Sequence, residues 1–218
     1  MPKPKAIFFD LGNVVIRLRT AHFLERMTGV CDARWTQAAI LEAIREPAGP
    51  HIDYEKGLIP GEEFHRHLQG RFGLRLDYRG WLDVWNDYFE PNRPMEALIT
   101  RLRGQARFFA LSNTNAEHWG HVKMNFRVLD GFEGIVASHL VGARKPEAAI
   151  FEAALRMAGV AAEEALYLDD MKPFIETAKG LGWQGFHYAY NDDELRRDLL
   201  AMGFELPSLE GRAPGMFC

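Results

Sequence analysis

The sequence predicts an α/β protein, a doubly wound, Rossmann-like parallel sheet with a small α-helical domain inserted after its first strand. Three observations predict it. Short, continuously apolar runs recur along the chain, amphipathic patterns separate them, and this alternation is suspended between about residues 19 and 89. A strand with no polar alternation is buried on both faces, as it must be in a parallel sheet covered by helices on either side.

The first run, Lys5 to Asp10, is apolar up to its closing carboxylate. Equivalent strands are predicted at Ala106–Leu111, Gly134–Ala137, Ala165–Leu168 and Trp183–Ala189. Between them, Pro94–Arg103 sets Met95, Leu98, Ile99 and Leu102 three and four apart on one helical face. Further helices are predicted at Ala116–Phe126, Pro146–Ala158, Pro173–Leu181 and Asp192–Met202. Thr114-Asn-Ala-Glu117 reads as a capping box opening the first of these, and Pro146 as the first helical residue of the next. In the interruption, Phe23, Leu24 and Met27 form one apolar stripe; Phe64, Leu68 and Phe72 form another, followed by Trp81 and Trp85. Glycine and proline break this stretch repeatedly, and Glu90-Pro-Asn-Arg-Pro94 closes it. The predicted division is therefore 1–18 and 90–218 for the α/β core and 19–89 for the helical insert. The tail from Phe204 to Cys218 has no period and reads as a surface extension or a partly disordered segment.

Composition narrows the function. The chain has 218 residues, 47% of them hydrophobic, enough to bury a sizeable core. Lys and Arg number 26 against 30 Asp and Glu, a net charge of −4, which argues against nucleic acid as a partner. No apolar run approaches the length of a membrane span, and Asp10 interrupts the stretch behind the basic N-terminus before it could serve as a signal peptide. Two cysteines give no disulfide framework. A cytoplasmic enzyme acting on a small molecule is the expectation.

Ligands of open parallel sheets bind at the carboxyl ends of the strands. Immediately after the predicted strands stand Asp10-Leu-Gly-Asn13, Ser112-Asn-Thr-Asn115 and Asp169-Asp170, with Gly142-Ala-Arg-Lys-Pro146 a few residues beyond the third. One carboxylate, one hydroxyl, one ammonium and a carboxylate pair would thus meet at one edge. Each has a purely structural reading as a turn or helix-start residue. Lys145 fits that reading least, because a cation next to a helix start opposes the helix dipole.

Asp10-Leu-Gly-Asn-Val-Val, Leu111-Ser-Asn-Thr-Asn, Arg144-Lys-Pro-Glu and Leu168-Asp-Asp together resemble the four ordered motifs of the haloacid dehalogenase superfamily. The position of the insert matches that superfamily's first type of helical cap. The motif variants are most similar to the branch holding α-D-glucose-1-phosphate phosphatase and the phosphatase domain of epoxide hydrolases. The resemblance implies a Mg²⁺-dependent phosphatase for a small phosphorylated metabolite such as a sugar 1-phosphate. Asp10 would be the nucleophile, forming an aspartyl-phosphate that water then hydrolyses. Asp10, Asp169, Asp170 and the backbone carbonyl of Gly12 would hold the metal. Lys145, Ser112 and the backbone N–H groups of Leu11, Gly12 and Asn113 would hold the phosphoryl oxygens. The chemistry is coherent. A phosphate dianion repels an attacking carboxylate until cations neutralise it, and Mg²⁺ favours a few carboxylates plus waters. A carboxyl with an ordinary pKa of roughly 3.9 needs no base to be a nucleophile.

Two positions depart from the pattern. Gly12 stands where most phosphatases of the superfamily carry a second aspartate that protonates the leaving oxygen. Three accounts stay open: a leaving group that needs little protonation, a substitute such as His118, a cap side chain or a metal-bound water, or a member that binds phosphate compounds without turnover. Phe174 stands where the branch often carries Asn. A metal-independent 2-haloacid dehalogenase also lacks the second aspartate, but its last motif does not usually present an acid pair like Asp169-Asp170, so the pair favours the phosphatase. Among other residues, Arg17 and Arg19 are candidates for phosphate contact or a hinge. His65 and His67 point to different helical faces, His118 and His121 read as a solvated face, and the cap tryptophans and Phe89 read as core.

Overall fold

The computed structural model describes residues 3–44, 46 and 48–206. From β1 (Ala6–Phe9) the chain passes through a short strand β2 (Ile16–Leu18) into the helices α1 (Thr20–Val30), α2 (Gln37–Ile44), α3 (Pro50–Glu55), α4 (Gly61–Phe72) and α5 (Tyr78–Trp85). It returns along β3 (Phe89–Pro91) and resumes the alternation: α6 (Arg93–Leu102), β4 (Arg107–Ser112), α7 (Ala116–Asn125), β5 (Gly134–Ala137), α8 (Ser138–Val141) and α9 (Ala148–Ala158). β6 (Ala165–Asp169), α10 (Lys172–Gly180), β7 (Gln184–His187) and α11 (Asp192–Ala201) complete it.

Among the described residues, five strands form the main sheet in the order β5-β4-β1-β6-β7, every pair parallel. Alternate side chains of β1 face opposite layers. Ile7 and Phe9 pack with Leu98 and Ile99 of α6 and Leu195 of α11, whereas Phe8 packs with Ile150 of α9 and Ile175 of α10. Burial on both sides is why these runs carry no polar alternation. The chain leaves β1 towards β4 on one side and later crosses to β6 on the other. The loops after β1 and β6 therefore diverge and open a crevice at the centre of the sheet, the usual ligand position in such folds.

The inserted helices have a core of their own, in which Met27, Ile40 and Trp81 are fully buried with Phe64 and Trp85 around them. β2 and β3 pair antiparallel, Leu18 opposite Phe89, and form the ribbon that joins the insert to the sheet. Arg19 and Arg26 both bond Asp87 across the base of the insert, at 3.0 and 2.6 Å, and Arg17 lies over the Tyr190 ring. Arg19 thus serves the junction of insert and sheet.

Local details differ from the sequence expectations. Pro146 precedes α9 instead of opening it, since the helix begins at Ala148 with Glu147 as N-cap. Lys145 is therefore outside the first turn, and buried oxygens, not a helix dipole, decide its placement. The N-cap of α7 is Asn115, whose side chain accepts from His118 N at 2.9 Å, and not Thr114. The backbone of Thr114 is already committed to α8, donating to Ser138 Oγ and accepting from it, both at 2.9 Å. In the tail, Phe204 and Leu206 are buried in the main core, where a surface extension was expected; positions 207–218 of that expectation lie outside the described residues.

Candidate active site

The parallel register places the motif residues together. Phe9 lies beside Ala110 on one side and Leu168 on the other, so Asp10, Ser112 and Asp169 emerge at the same edge. Asp10 N donates to Leu168 O at 2.9 Å, fixing the first turn after β1 against β6. Asp10 is 8% exposed, Lys145 2% and Asp169 fully buried.

Lys145 is the hub. Its Nζ donates to Asp10 Oδ1 at 2.8 Å, to Asp169 Oδ2 at 2.7 Å and to Leu111 O at 3.2 Å, and it lies 2.8 Å from the Tyr167 hydroxyl. Tyr167 in turn donates to Asp169. The backbone of Lys145 is stapled to Asn113, whose Oδ1 accepts from Lys145 N at 2.8 Å and whose Nδ2 donates to Lys145 O at 3.1 Å. Asn113 thus has a positioning contact made by its side chain, which the motif reading, concerned with its backbone N–H, did not anticipate. The Phe174 ring sits 5.1 Å from Nζ, so this position contributes a cation–π contact and no polar one.

The second acid of the pair, Asp170, accepts from Asn13 Nδ2 at 3.1 Å. Asn13 has φ 59°, in the left-handed region that asparagine tolerates better than most residues. Its Oδ1 accepts from Leu18 N at 3.3 Å, so one side chain links the β1 loop, the β2 ribbon and the acid pair.

Oxygens of Asp10, Asp169 and Asp170 lie within 4.8 Å of one another. Burial pushes the Asp10 carboxyl up to about 7, well above the ordinary value expected from the sequence; Lys145 pulls it down and the charge of Asp169 adds to the rise. Burial raises Asp170 as well. For Lys145, burial opposes the ammonium, but Asp10 and Asp169 outweigh it and hold the group charged. Three carboxylates against one ammonium leave an excess of negative charge that hard oxygen donors share with a divalent cation. The donor set fits Mg²⁺.

Beside this cluster a cavity of about 200 Å³ runs between sheet edge and insert. Leu11, Gly12, Ser112 and Asn113 line it from the core, and Phe23, Leu41, His51 and Trp85 from the insert. Trp85 and Phe89, read from the sequence as core, are cavity walls as well. His118 also lines it, but not as a proton donor. Its Nε2 bonds Trp85 O at 3.0 Å, a carbonyl that only accepts, so Nδ1 is the acceptor for Asn115 Nδ2 at 3.2 Å. Burial lowers its pKa to about 3, leaving it neutral at physiological pH. His118 therefore drops out as a substitute for the acid missing at Gly12.

The insert is latched onto α7. Tyr78 donates to Glu117 Oε1 at 2.8 Å, and Tyr54 donates to the other oxygen. Trp85 stacks on His118 with centroids 4.8 Å apart, while Lys56–Glu147 and Arg144–Glu55 ion pairs at 2.7 and 2.9 Å close the other side. Glu117→Ala is expected to weaken closure, raising KM about fivefold or more with a smaller change in kcat, as measured by steady-state kinetics.

The family comparison agrees with this geometry. The haloacid dehalogenase-like hydrolase model matches residues 4–182, and the chain belongs to that family. Two similar proteins are phosphatases. The chain is 26% identical to the sesquiterpene phosphatase astK of Aspergillus oryzae, over 72% of this chain and 78% of that one. It is 24% identical to D-ribitol-5-phosphate phosphatase of Bacteroides thetaiotaomicron, over 84% and 90%. Among solved structures, the HAD family enzyme bt-2542 of the same bacterium superposes with a TM-score of 0.79 at 26% identity, covering 89% of this chain and 98% of that one. Another crystal structure of that enzyme is a complex with magnesium and inorganic phosphate. Among the described residues, no helix is long and apolar enough to cross a membrane.

Proposed function

We propose that this chain hydrolyses a small phosphomonoester with Mg²⁺ bound, using Asp10 as the nucleophile. One observation carries the reading: Asp10 lies at the sheet's switch point, bonded to a buried ammonium and clustered with two further carboxylates, beside a cavity. A carboxylate oxygen of Asp10 attacks phosphorus, the bond from phosphorus to the leaving oxygen breaks, and water then hydrolyses the aspartyl-phosphate. Lys145 and Ser112 hold phosphoryl oxygens, with the N–H groups of Leu11, Gly12 and Asn113 beneath them. Asp10, Asp169, Asp170 and the Gly12 carbonyl are the metal donors. When bound, Mg²⁺ neutralises the charge that would keep a phosphate dianion away from Asp10. Residues 1–18 and 90–218 supply this chemistry; 19–89 form the cap that closes over substrate and excludes water. The magnesium and phosphate in the solved relative support the cofactor assignment. A sugar 1-phosphate substrate has support only from the motif variants.

With Gly12 supplying no acid, rates are expected to fall steeply as the leaving alcohol becomes more basic. Hydrolysis of para-nitrophenyl phosphate should need Mg²⁺ and disappear in EDTA. Metal-independent chloride release from a 2-chloro acid, with no phosphate released from any ester, would replace this reading with that of a dehalogenase.

A further inference from the structure

Resting on the phosphatase reading, the cavity walls point to the substrate's alcohol. We propose that it carries a hydrocarbon group, alkyl, prenyl or aryl, and not a polyol or sugar. The walls are mostly apolar, with Ile16, Leu18, Phe23, Leu41, Ile44 and Phe89 among them. They are continuous with Gly12, Ser112 and Asn113, so whatever occupies them is attached to the group held there.

Some polar groups of the lining are occupied by the protein itself, while His51 Nδ1 and Glu55 Oε2 are buried with no hydrogen-bond partner among the described residues. His118 has both ring nitrogens engaged, and Asn115 Oδ1 accepts from His118 N at 2.9 Å. Glu55 pairs with Arg144 at 2.9 Å and lies 3.7 Å from His51. A sugar would bring several hydroxyls into this space, and each one left unpaired weakens binding by roughly tenfold. A hydrocarbon needs no partners.

The Gly12 position fits the same description. A Cβ built there would lie 3.2 Å from Leu18 Cδ1, so an apolar side chain borders the space in which the missing acid would stand. The sequence departure at Gly12 and the apolar wall are two sides of one feature.

The test is a series of para-alkylphenyl phosphates, from methyl to pentyl, compared with glucose 1-phosphate in Mg²⁺. Para-alkyl groups barely change the acidity of the phenol, so the series varies hydrocarbon at nearly constant leaving-group basicity. Specificity, kcat/KM, is expected to rise about threefold per methylene until the cavity is full. Leu41→Asn and Ile44→Asn should flatten that slope. A flat or falling series, or glucose 1-phosphate exceeding the pentyl compound, would overturn the proposal. Binding of the parent alkylphenols, followed by tryptophan fluorescence since Trp85 lines the cavity, reads the same preference without chemistry. Failure of the underlying phosphatase reading gives a different pattern: no ester is hydrolysed, while the phenols still bind more tightly with each added carbon. Phenol affinity that does not grow with chain length overturns the cavity assignment in either case.

Discussion

Asp10→Asn is expected to lower kcat by at least about 10³–10⁴-fold while leaving the fold in place. The exchange is nearly isosteric, and Lys145 keeps Asp169, Leu111 O and Tyr167 as partners. It also removes one of three carboxylates crowded within 4.8 Å, so the urea midpoint should stay close to that of the wild type. Acid quenching during turnover of a radiolabelled phosphomonoester should trap label covalently on the wild type and none on the variant. That readout separates loss of the nucleophile from loss of a charge that merely helps to bind metal. An Asp10→Asn enzyme that still acquired label would move the nucleophile elsewhere and undo the mechanism.

What made Asp10 legible in the sequence was its place at the end of an apolar run. In a parallel sheet all strand ends of one kind lie along one edge, so a polar residue closing a buried run is placed by the register alone. The same reasoning reached Ser112 and Asp169. Lys145 was recognised for a reason the structure replaces. Its helix starts at Ala148, and Lys145 owes its position to the two bonds with Asn113 and to the oxygens around Nζ.

Tyr167 escaped notice because it sits inside Ala165-Leu-Tyr-Leu168. In a strand buried on both faces no alternation marks one tyrosine as a polar tip aimed at Asp169. Asn13 lay within a quoted motif, but its bond to Asp170 spans 157 residues of sequence, beyond the reach of any local pattern. The role of His118 was equally hidden, because its neutrality comes from burial beneath the cap, which outweighs the opposite pull of Trp85 O on another element. The β2–β3 ribbon has three residues per strand, too few for a period to emerge, and Pro91 reads more naturally as linker. Leu18, on that ribbon, therefore had no recognised link to Gly12. Local chemistry at strand ends could be read from the sequence; contacts made by the insert, which depend on its closing over the sheet, could not.

Lys145→Met should remove both activity and a large part of the stability of the metal-free protein. The ammonium is 2% exposed and holds Asp10 and Asp169 at 2.8 and 2.7 Å. Removing one partner of a buried ion pair leaves the other charge without compensation, a loss of about 3–5 kcal/mol. Urea unfolding in EDTA should show that loss. Arginine should not restore function, because a planar guanidinium cannot replace a compact ammonium among Leu111 O, Tyr167 and two carboxylates. Added Mg²⁺ should raise the urea midpoint of Lys145→Met more than that of the wild type, since the cation then meets three carboxylates with no competing positive charge among the described residues of the cluster. Activity should stay low even so, because the phosphoryl group has lost its second cation. A Lys145→Met protein that unfolds at the wild-type urea concentration in EDTA and still turns over phosphate esters would show that the ammonium is not what balances this site.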